Sequence, residues 1–322
     1  MATDKTGYYR LNDEVALRSW PRIPHAYYMR DEEFASALTA EEFNLLMSCD
    51  GMHQLPGSEL LDSLMKRGMI ERCPRGKAPS PWSEFKAYSN EYVPKINFMI
   101  TGKCNYNCLH CFNAADNAPI TSEWAFDDAS DLIAQARDCG VRAWLLTGGE
   151  PMAHHRFLDI VAEIHRNDMM VYEINTNGHY ITEELLDEMR SIGSYPLMKI
   201  SFDGIGFHDW MRQHDGAEAR ALEAIRLCVE RGFKVMAQVN MNWNNRSAIE
   251  ATVELLEQIG VDGVRIIRTT KVPRWRNAYS STAPGKARSS RRWTAGRTLR
   301  PKGAFTTPLL APLKVTPWVT PH

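Results

Sequence analysis

Residues 96–112 read INFMITGKCNYNCLHCF, a mainly apolar run that breaks at Gly102 into a loop carrying three cysteines within eight residues. A short apolar run ending at a turn suits a buried strand. The pattern repeats downstream as AWLLTGG (143–149), MVYEINTNG (170–178), LMKISFDG (197–204), KVMAQVNMN (234–242) and GVRIIRT (263–269). The intervening stretches, approximately 127–139, 154–167, 182–193, 216–232 and 245–260, place apolar residues at i, i+3 and i+4, the period of an amphipathic helix. Alternating strands and helices call for a parallel sheet with right-handed crossovers. Six such units predict an α/β fold, a partial (β/α)6 TIM-like barrel over residues 91–270. Residues just after each strand would then gather at one mouth of that barrel.

Cys104, Cys108 and Cys111 stand in a C-x3-C-x2-C spacing. Thiolates are the usual ligands of iron–sulfur clusters and common ligands of zinc. Three of them would leave one iron of a 4Fe-4S cube open, whereas a cluster that only passes electrons needs a fourth cysteine, and none is nearby. Two blander readings stay open at this point: a zinc knuckle completed by His110, and plain buried thiols.

The triplet resembles the signature of the radical S-adenosylmethionine (SAM) superfamily, whose residue before the last cysteine is usually aromatic; here it is His110, with Phe112 following. The likeness extends along the barrel. Gly148, Gly149, Glu150 and Pro151 after the second strand resemble the family's GGEP element, which approaches the amino end of SAM. Asn175-Thr176-Asn177-Gly178 and Ser201-Phe202-Asp203-Gly204, after the third and fourth strands, are similar to segments near the SAM ribose and methionine moiety. Arg212 stands where related enzymes carry a carboxylate-binding arginine, and Gln238 and Asn240 on the fifth strand are expected to face the site. Each of these alone is also what an ordinary turn or helix cap shows; their order, each after a successive strand, is what joins them. The resemblance covers residues 95 to about 270. It implies a 4Fe-4S cluster on Cys104, Cys108 and Cys111, SAM as cofactor, reductive cleavage to a 5′-deoxyadenosyl radical, and an electron donor such as a flavodoxin or ferredoxin. No acid–base pair can be assigned from the sequence.

Residues 1–90 begin with the strand-like YYRLNDEVALRSW and continue with two helical patterns, LTAEEFNLLMSC and SELLDSLMKRGMIERC, the first with Thr39 as N-cap and Glu42 completing a capping box. This predicts a small winged-helix-like α+β module, joined to the barrel by a linker at 80–94. The module resembles peptide-recognition elements fused to enzymes that modify ribosomally made peptides, in which a leader peptide adds a strand to a sheet edge; a fold-stabilising extension fits equally. It is not especially basic, so nucleic acid is not an expected partner. SFDG and HDWMRQHDGA (208–217) resemble peptide and protein maturases with a C-terminal SPASM or twitch domain, yet no cysteine follows Cys228 to build its clusters.

The net charge of −1 conceals an asymmetry: residues 271–322 hold 11 of the 38 Lys and Arg, seven of the 17 prolines and no Asp or Glu. This irregular, basic, Pro-rich tail reads either as translation in a shifted frame or as a disordered segment for acidic partners. Cys49, Cys73, Cys139 and Cys228 read as buried small hydrophobes, and His154 and His155 as helix-start residues. No apolar run is long enough for a membrane span and the start lacks a signal-peptide pattern; a cytoplasmic protein with reduced thiols and no membrane partner is expected. The expected function is a radical SAM enzyme acting on a peptide or protein. The alternative is a non-catalytic peptide-binding protein with a zinc-bearing or cluster-less barrel.

Overall fold

A computed structural model describes residues 6–113, 122–269 and 275. The expectations for the basic tail, 271–322, therefore lie outside the described residues apart from Trp275. The N-terminal part contains β1 (Gly7–Leu11), β2 (Val15–Trp20), β3 (Ile23–Met29), β4 (Ser36–Ala37), α1 (Ala40–Met47), β5 (Asp50–Leu55), α2 (Glu59–Lys66), β6 (Ile70–Arg72) and β7 (Lys86–Ala87). The three-stranded sheet β5-β1-β6 is antiparallel; β4-β3-β2-β7 forms a second sheet. The capping box forms as expected: Glu42 N–H donates to Thr39 Oγ1 at 3.1 Å and Thr39 N–H to Glu42 Oε2 at 2.9 Å.

Two expectations for this region are corrected. YYRLNDEVALRSW is two strands, because Arg10 grips Asp13 with both terminal nitrogens (2.7 and 3.0 Å) and Val15 N–H closes a turn onto the Asn12 carbonyl. Residues 80–94 are not a free linker. Trp82 is buried, the Arg18 guanidinium holds the carbonyls of Trp82 (3.0 Å) and Glu84 (2.8 Å), and β7 pairs with β2.

The barrel follows as β8 (Lys95–Thr101), α3 (Phe126–Asp138), β9 (Ala143–Gly148), α4 (Phe157–Arg166), β10 (Met170–Thr176), α5 (Glu183–Ile192), β11 (Leu197–Ser201), α6 (His208–Arg212), α7 (Ala217–Glu230), β12 (Val235–Met241), α8 (Ile249–Ile259) and β13 (Gly263–Arg268). The six strands pair in parallel in sequence order, β8 to β13. Phe98, Ile100, Trp144, Leu146, Ile174, Ile200 and Val239 are buried in one core with Ile133, Ile160, Leu186, Ile225 and Leu256 of the helices. Each such side chain contributes about 1.5–3 kcal/mol on burial. The alternation of a strand leaves the intervening residues, including Asn175, Lys199, Ser201 and Gln238, on the inner face.

The module docks at the end of the barrel where strands begin. Trp20 Nε1 donates to the Cys139 carbonyl (3.3 Å), and the Asn90 amide donates to the same oxygen (2.9 Å). Gly140 ends the turn before β9 with φ +74°, and a Cβ there would lie 2.7 Å from Tyr88 and 2.8 Å from Trp20. Only glycine satisfies both the backbone conformation and the close approach. The mouth at the other end is thereby left open for the loops that follow the strands.

Candidate active site

The cysteine loop emerges from β8 and is fixed to the short helix after β11. Leu109 N–H donates to the Met211 carbonyl (2.9 Å) and Asn107 N–H to the Arg212 carbonyl (3.3 Å). Cys104, Cys108 and Cys111 pack together with Tyr106 and Ala217. Burial pushes the Cys104 thiol up to about 12, and the neighbouring Cys108 and Cys111 add to that rise. Tyr106 anchors the loop's centre: its hydroxyl lies 3.2 Å from His179 Nδ1 and its ring stacks on His214 at 4.5 Å between centroids.

The loop after β9 runs against this one. Gly149 N–H donates to the Thr101 carbonyl and Glu150 N–H to the Lys103 carbonyl, both at 2.8 Å. A Cβ on Gly149 would sit 2.3 Å from the Lys103 oxygen, so the close backbone approach requires glycine here. The fully buried Glu150 carboxylate then reaches across to β10. It accepts from Thr176 Oγ1 (2.8 Å), Asn177 N–H (2.7 Å) and Met152 N–H (3.2 Å), the last closing the turn begun by Pro151. Burial raises its pKa to about 7 against the pull of these donors. Asn177 continues the link by donating its amide to Asn105 Oδ1 at 2.8 Å, inside the cysteine loop.

After β11, Asp203 is wholly buried and paired with Arg212, Nε to Oδ2 at 2.8 Å. Its other oxygen accepts from Asn240 N–H at 3.0 Å. Burial alone would raise Asp203, but the Arg212 charge outweighs it and holds the carboxyl well below its usual range. His208 Nδ1 accepts from Asp203 N–H (2.9 Å), so the ring is the neutral Nε2–H tautomer, in keeping with burial pushing its pKa down. Arg212 Nη1 also reaches Cys108 Sγ at 3.7 Å, joining this network to the cysteines.

The residues expected from the sequence are thus largely brought together: the three cysteines, Gly148, Gly149, Glu150, Pro151, Asn177, Asp203 and Arg212 share one hydrogen-bonded or packed mouth. Asn175, Ser201 and Gln238 lie on the inner face beside it, with Ser201 and Gln238 paired in register. His154 and His155 take no part. Both His154 nitrogens are engaged, by the Trp124 carbonyl (2.9 Å) and Arg156 N–H (3.0 Å), and His155 pairs with Glu123, itself held by Lys103. Thr176 lay within the quoted Asn175–Gly178 segment without a role of its own, and sequence reasoning missed His208 and Asn245. Asn245 is buried and donates to the carbonyls of Asp203 (2.7 Å) and Asn240 (2.8 Å); a lone asparagine after a strand gives no periodic signal.

The donor set fits an iron–sulfur cluster and a polar ligand beside it. The three thiols pack in one cluster, and the surrounding residues carry buried polar atoms without a partner: Asn105 Nδ2, His110 Nδ1, Asn175 Oδ1, His208 Nε2 and Arg212 Nη2. Buried polar groups are seldom left so.

Residues 98–256 match the family described as the Radical SAM superfamily. Its members use a 4Fe-4S cluster and S-adenosylmethionine. The chain is 29% identical over 178 residues to an Fe-coproporphyrin III synthase from Methanosarcina barkeri, covering 55% of this chain and 44% of that protein. It is 25% identical over 194 residues to a probable GTP 3′,8-cyclase from Metallosphaera sedula, covering 58% of each. The matches to the synthases therefore span under half of their length. The structure of Streptococcus suis SuiB bound to precursor peptide SuiA superposes with a TM-score of 0.58 at 12% identity, covering 82% of this chain and 64% of that one, which shows a shared fold. No helix among the described residues is long and apolar enough to cross a membrane.

Proposed function

We propose that this chain is a radical SAM enzyme that modifies a peptide or protein, with Cys104, Cys108 and Cys111 as cluster ligands. The observation that carries the reading is the single network at the barrel mouth, running from the thiols through Arg212 to Asp203 and through Asn105 and Asn177 to Glu150. When bound, the cluster and SAM supply reductive cleavage of a sulfonium and a radical able to abstract hydrogen. The protein's residues prepare the place. Gly148 and Gly149 let the backbone approach closely, Arg212 brings a buried positive charge to Cys108, and Glu150 offers a carboxylate within reach of an ammonium group. Asn175, Asn177, Ser201, Asp203 and Gln238 line or brace the adjoining inner face. Burial of Cys108, Glu150, Asn177, Asp203 and Arg212 keeps water from that part of the network.

The peptide part of the reading rests on the module. β5 is an edge strand whose Met52, His53 and Gln54 side chains are exposed, and such edges accept an added peptide strand; here the Met52 and His53 N–H groups donate to Asp50 Oδ1 (2.7 and 3.0 Å), which a pairing peptide would displace. SuiB, which shares the fold, holds a precursor peptide. Anaerobic reconstitution with iron and sulfide should give a brown protein that forms 5′-deoxyadenosine from SAM, drawing electrons from a reduced flavodoxin or ferredoxin. A colourless product without iron or sulfide refutes the enzyme reading. The second reading is a non-catalytic peptide binder with a zinc-bearing or cluster-less barrel; zinc bound stoichiometrically without sulfide decides for it.

A further inference from the structure

Three guanidinium groups crowd one indole where the module meets the barrel. The Arg30, Arg142 and Arg18 guanidiniums lie 4.4, 5.3 and 5.9 Å from the Trp82 ring centre. Arg30 has a carboxylate, Glu14, at 3.5 Å. Arg18 and Arg142 are both buried and hold mainly carbonyl oxygens, with the Tyr88 hydroxyl also bonded to Arg18. Arg142 donates to those of Glu32 (3.0 Å), Asp168 (2.8 Å) and Arg30; Arg18 donates to those of Leu17 (2.7 Å), Glu84 (2.8 Å) and Trp82 (3.0 Å). Carbonyl dipoles satisfy the hydrogen bonds but do not cancel two positive charges taken out of water, and buried charges are ordinarily paired. The strain registers on Arg142, which burial pushes down to about 10, with the charges of Arg30 and Arg18 adding to the fall.

A cavity of about 40 Å³ opens beside these groups. That is room for roughly three waters, or for one small tetrahedral anion in their place. Arg18 and Arg142 line it, Lys86 and Arg137 add positive charge, and among the described residues Asp168 is the one carboxylate side chain in the lining. Arg137 is itself paired with Asp138 at 2.9 Å. The remaining balance is positive, and the aromatic walls of Tyr28 and Trp82 lower the local dielectric, which strengthens an anion's attraction. The cavity lies at the starts of β9 and β10, at the opposite end of the barrel from the cysteines.

We infer that this seam is a binding site for a small oxyanion of the phosphate class, which neutralises Arg18 and Arg142 and locks the module to the barrel. The site owes nothing to the cluster, so it is tested on the full chain without iron. In thermal melts at constant ionic strength, inorganic phosphate replacing chloride should raise the melting temperature with the logarithm of its concentration. The rise should reach roughly 5–10 °C at a hundredfold excess over the dissociation constant. Lys86→Gln, an exposed substitution, should melt unchanged in chloride and bind phosphate roughly two- to fivefold more weakly. Arg142→Gln should lose the response entirely. A general salting-out effect climbs linearly and does not depend on these side chains. The inference is overturned if the rise is linear in phosphate, if it is absent, or if Lys86→Gln shows the full wild-type response.

Discussion

Replacing Arg212 by methionine would keep most of its stem and remove the charge facing Asp203. The Asp203 side chain is fully buried and that of Arg212 is 8% exposed, so no water is at hand to take over. Removing one member of a buried ion pair costs about 3–5 kcal/mol, because the survivor is stranded. Asp203 would keep the Asn240 N–H at 3.0 Å, which places the expected loss near the lower end, about 3 kcal/mol. For a domain of this size that corresponds to roughly 6–12 °C in melting temperature. The pH dependence gives the sharper check. In the wild type the Asp203 pKa is depressed, so its contribution is present above the unfolded pKa near 4 and is lost only as pH falls through a lower folded value. In Arg212→Met the largest lowering influence is gone and burial is opposed only by the Asn240 N–H and the neighbouring His208 and His110, so the Asp203 pKa moves up; the deficit should be full at neutral pH and shrink as the solution is acidified and the stranded carboxyl takes a proton. Adding Asp203→Asn should restore part of the loss. Urea unfolding of the iron-free chain at pH 7 and pH 5 reads all of this. A deficit below about 1 kcal/mol at pH 7, or one that does not change with pH, refutes the picture of a buried, mutually dependent pair.

Any one of Cys104→Ser, Cys108→Ser or Cys111→Ser should abolish sulfide-bound iron after reconstitution, while Cys228→Ser, buried in the helical core, should retain it; iron and sulfide assays decide. Gly149→Ala drives a Cβ to 2.3 Å from the Lys103 oxygen and should cost about 1–3 kcal/mol in a denaturant titration. The raised Glu150 pKa, about 7 against a usual 4.5, means that stability should fall as pH rises from about 4.5 to about 7, by as much as about 3 kcal/mol, and Glu150→Gln should flatten that slope. His110→Phe removes an imidazole whose Nδ1 has no partner, so it should leave the stability of the iron-free chain unchanged or raise it, by about 1 kcal/mol at most in urea unfolding; a loss of more than about 2 kcal/mol contradicts the unpartnered assignment.

The barrel was legible because its strands bury their outer faces against helices, and that demand writes short apolar runs at regular spacing. The cysteine and glycine elements were legible because thiol ligation and close backbone approach each tolerate few residue types. The module was harder to read. β3 carries Pro24 and His25 and is only partly buried, so Ile23–Met29 shows little apolar pattern, and β7 is two exposed residues long. Trp82 was assigned to a linker because a single buried aromatic has no period. Likewise α6, five residues from His208 to Arg212, is too short to reveal a face, although it presents Arg212 to Asp203 and its last carbonyls to the cysteine loop. Contacts between loops depend on the finished topology, and local sequence does not encode them.

The seam at Gly140 puts the module and the mouth at opposite ends of the barrel. Strands of seven residues make that separation about 23 Å along the strands. A chain gripped at the module would need at least about seven residues of extended tether before any of its atoms could enter the mouth. On the proposed peptide reading the scaffold would act as a ruler: reacting positions would be selected by their distance along the substrate from the gripped segment, and residues too near that segment would fall short whatever their chemistry.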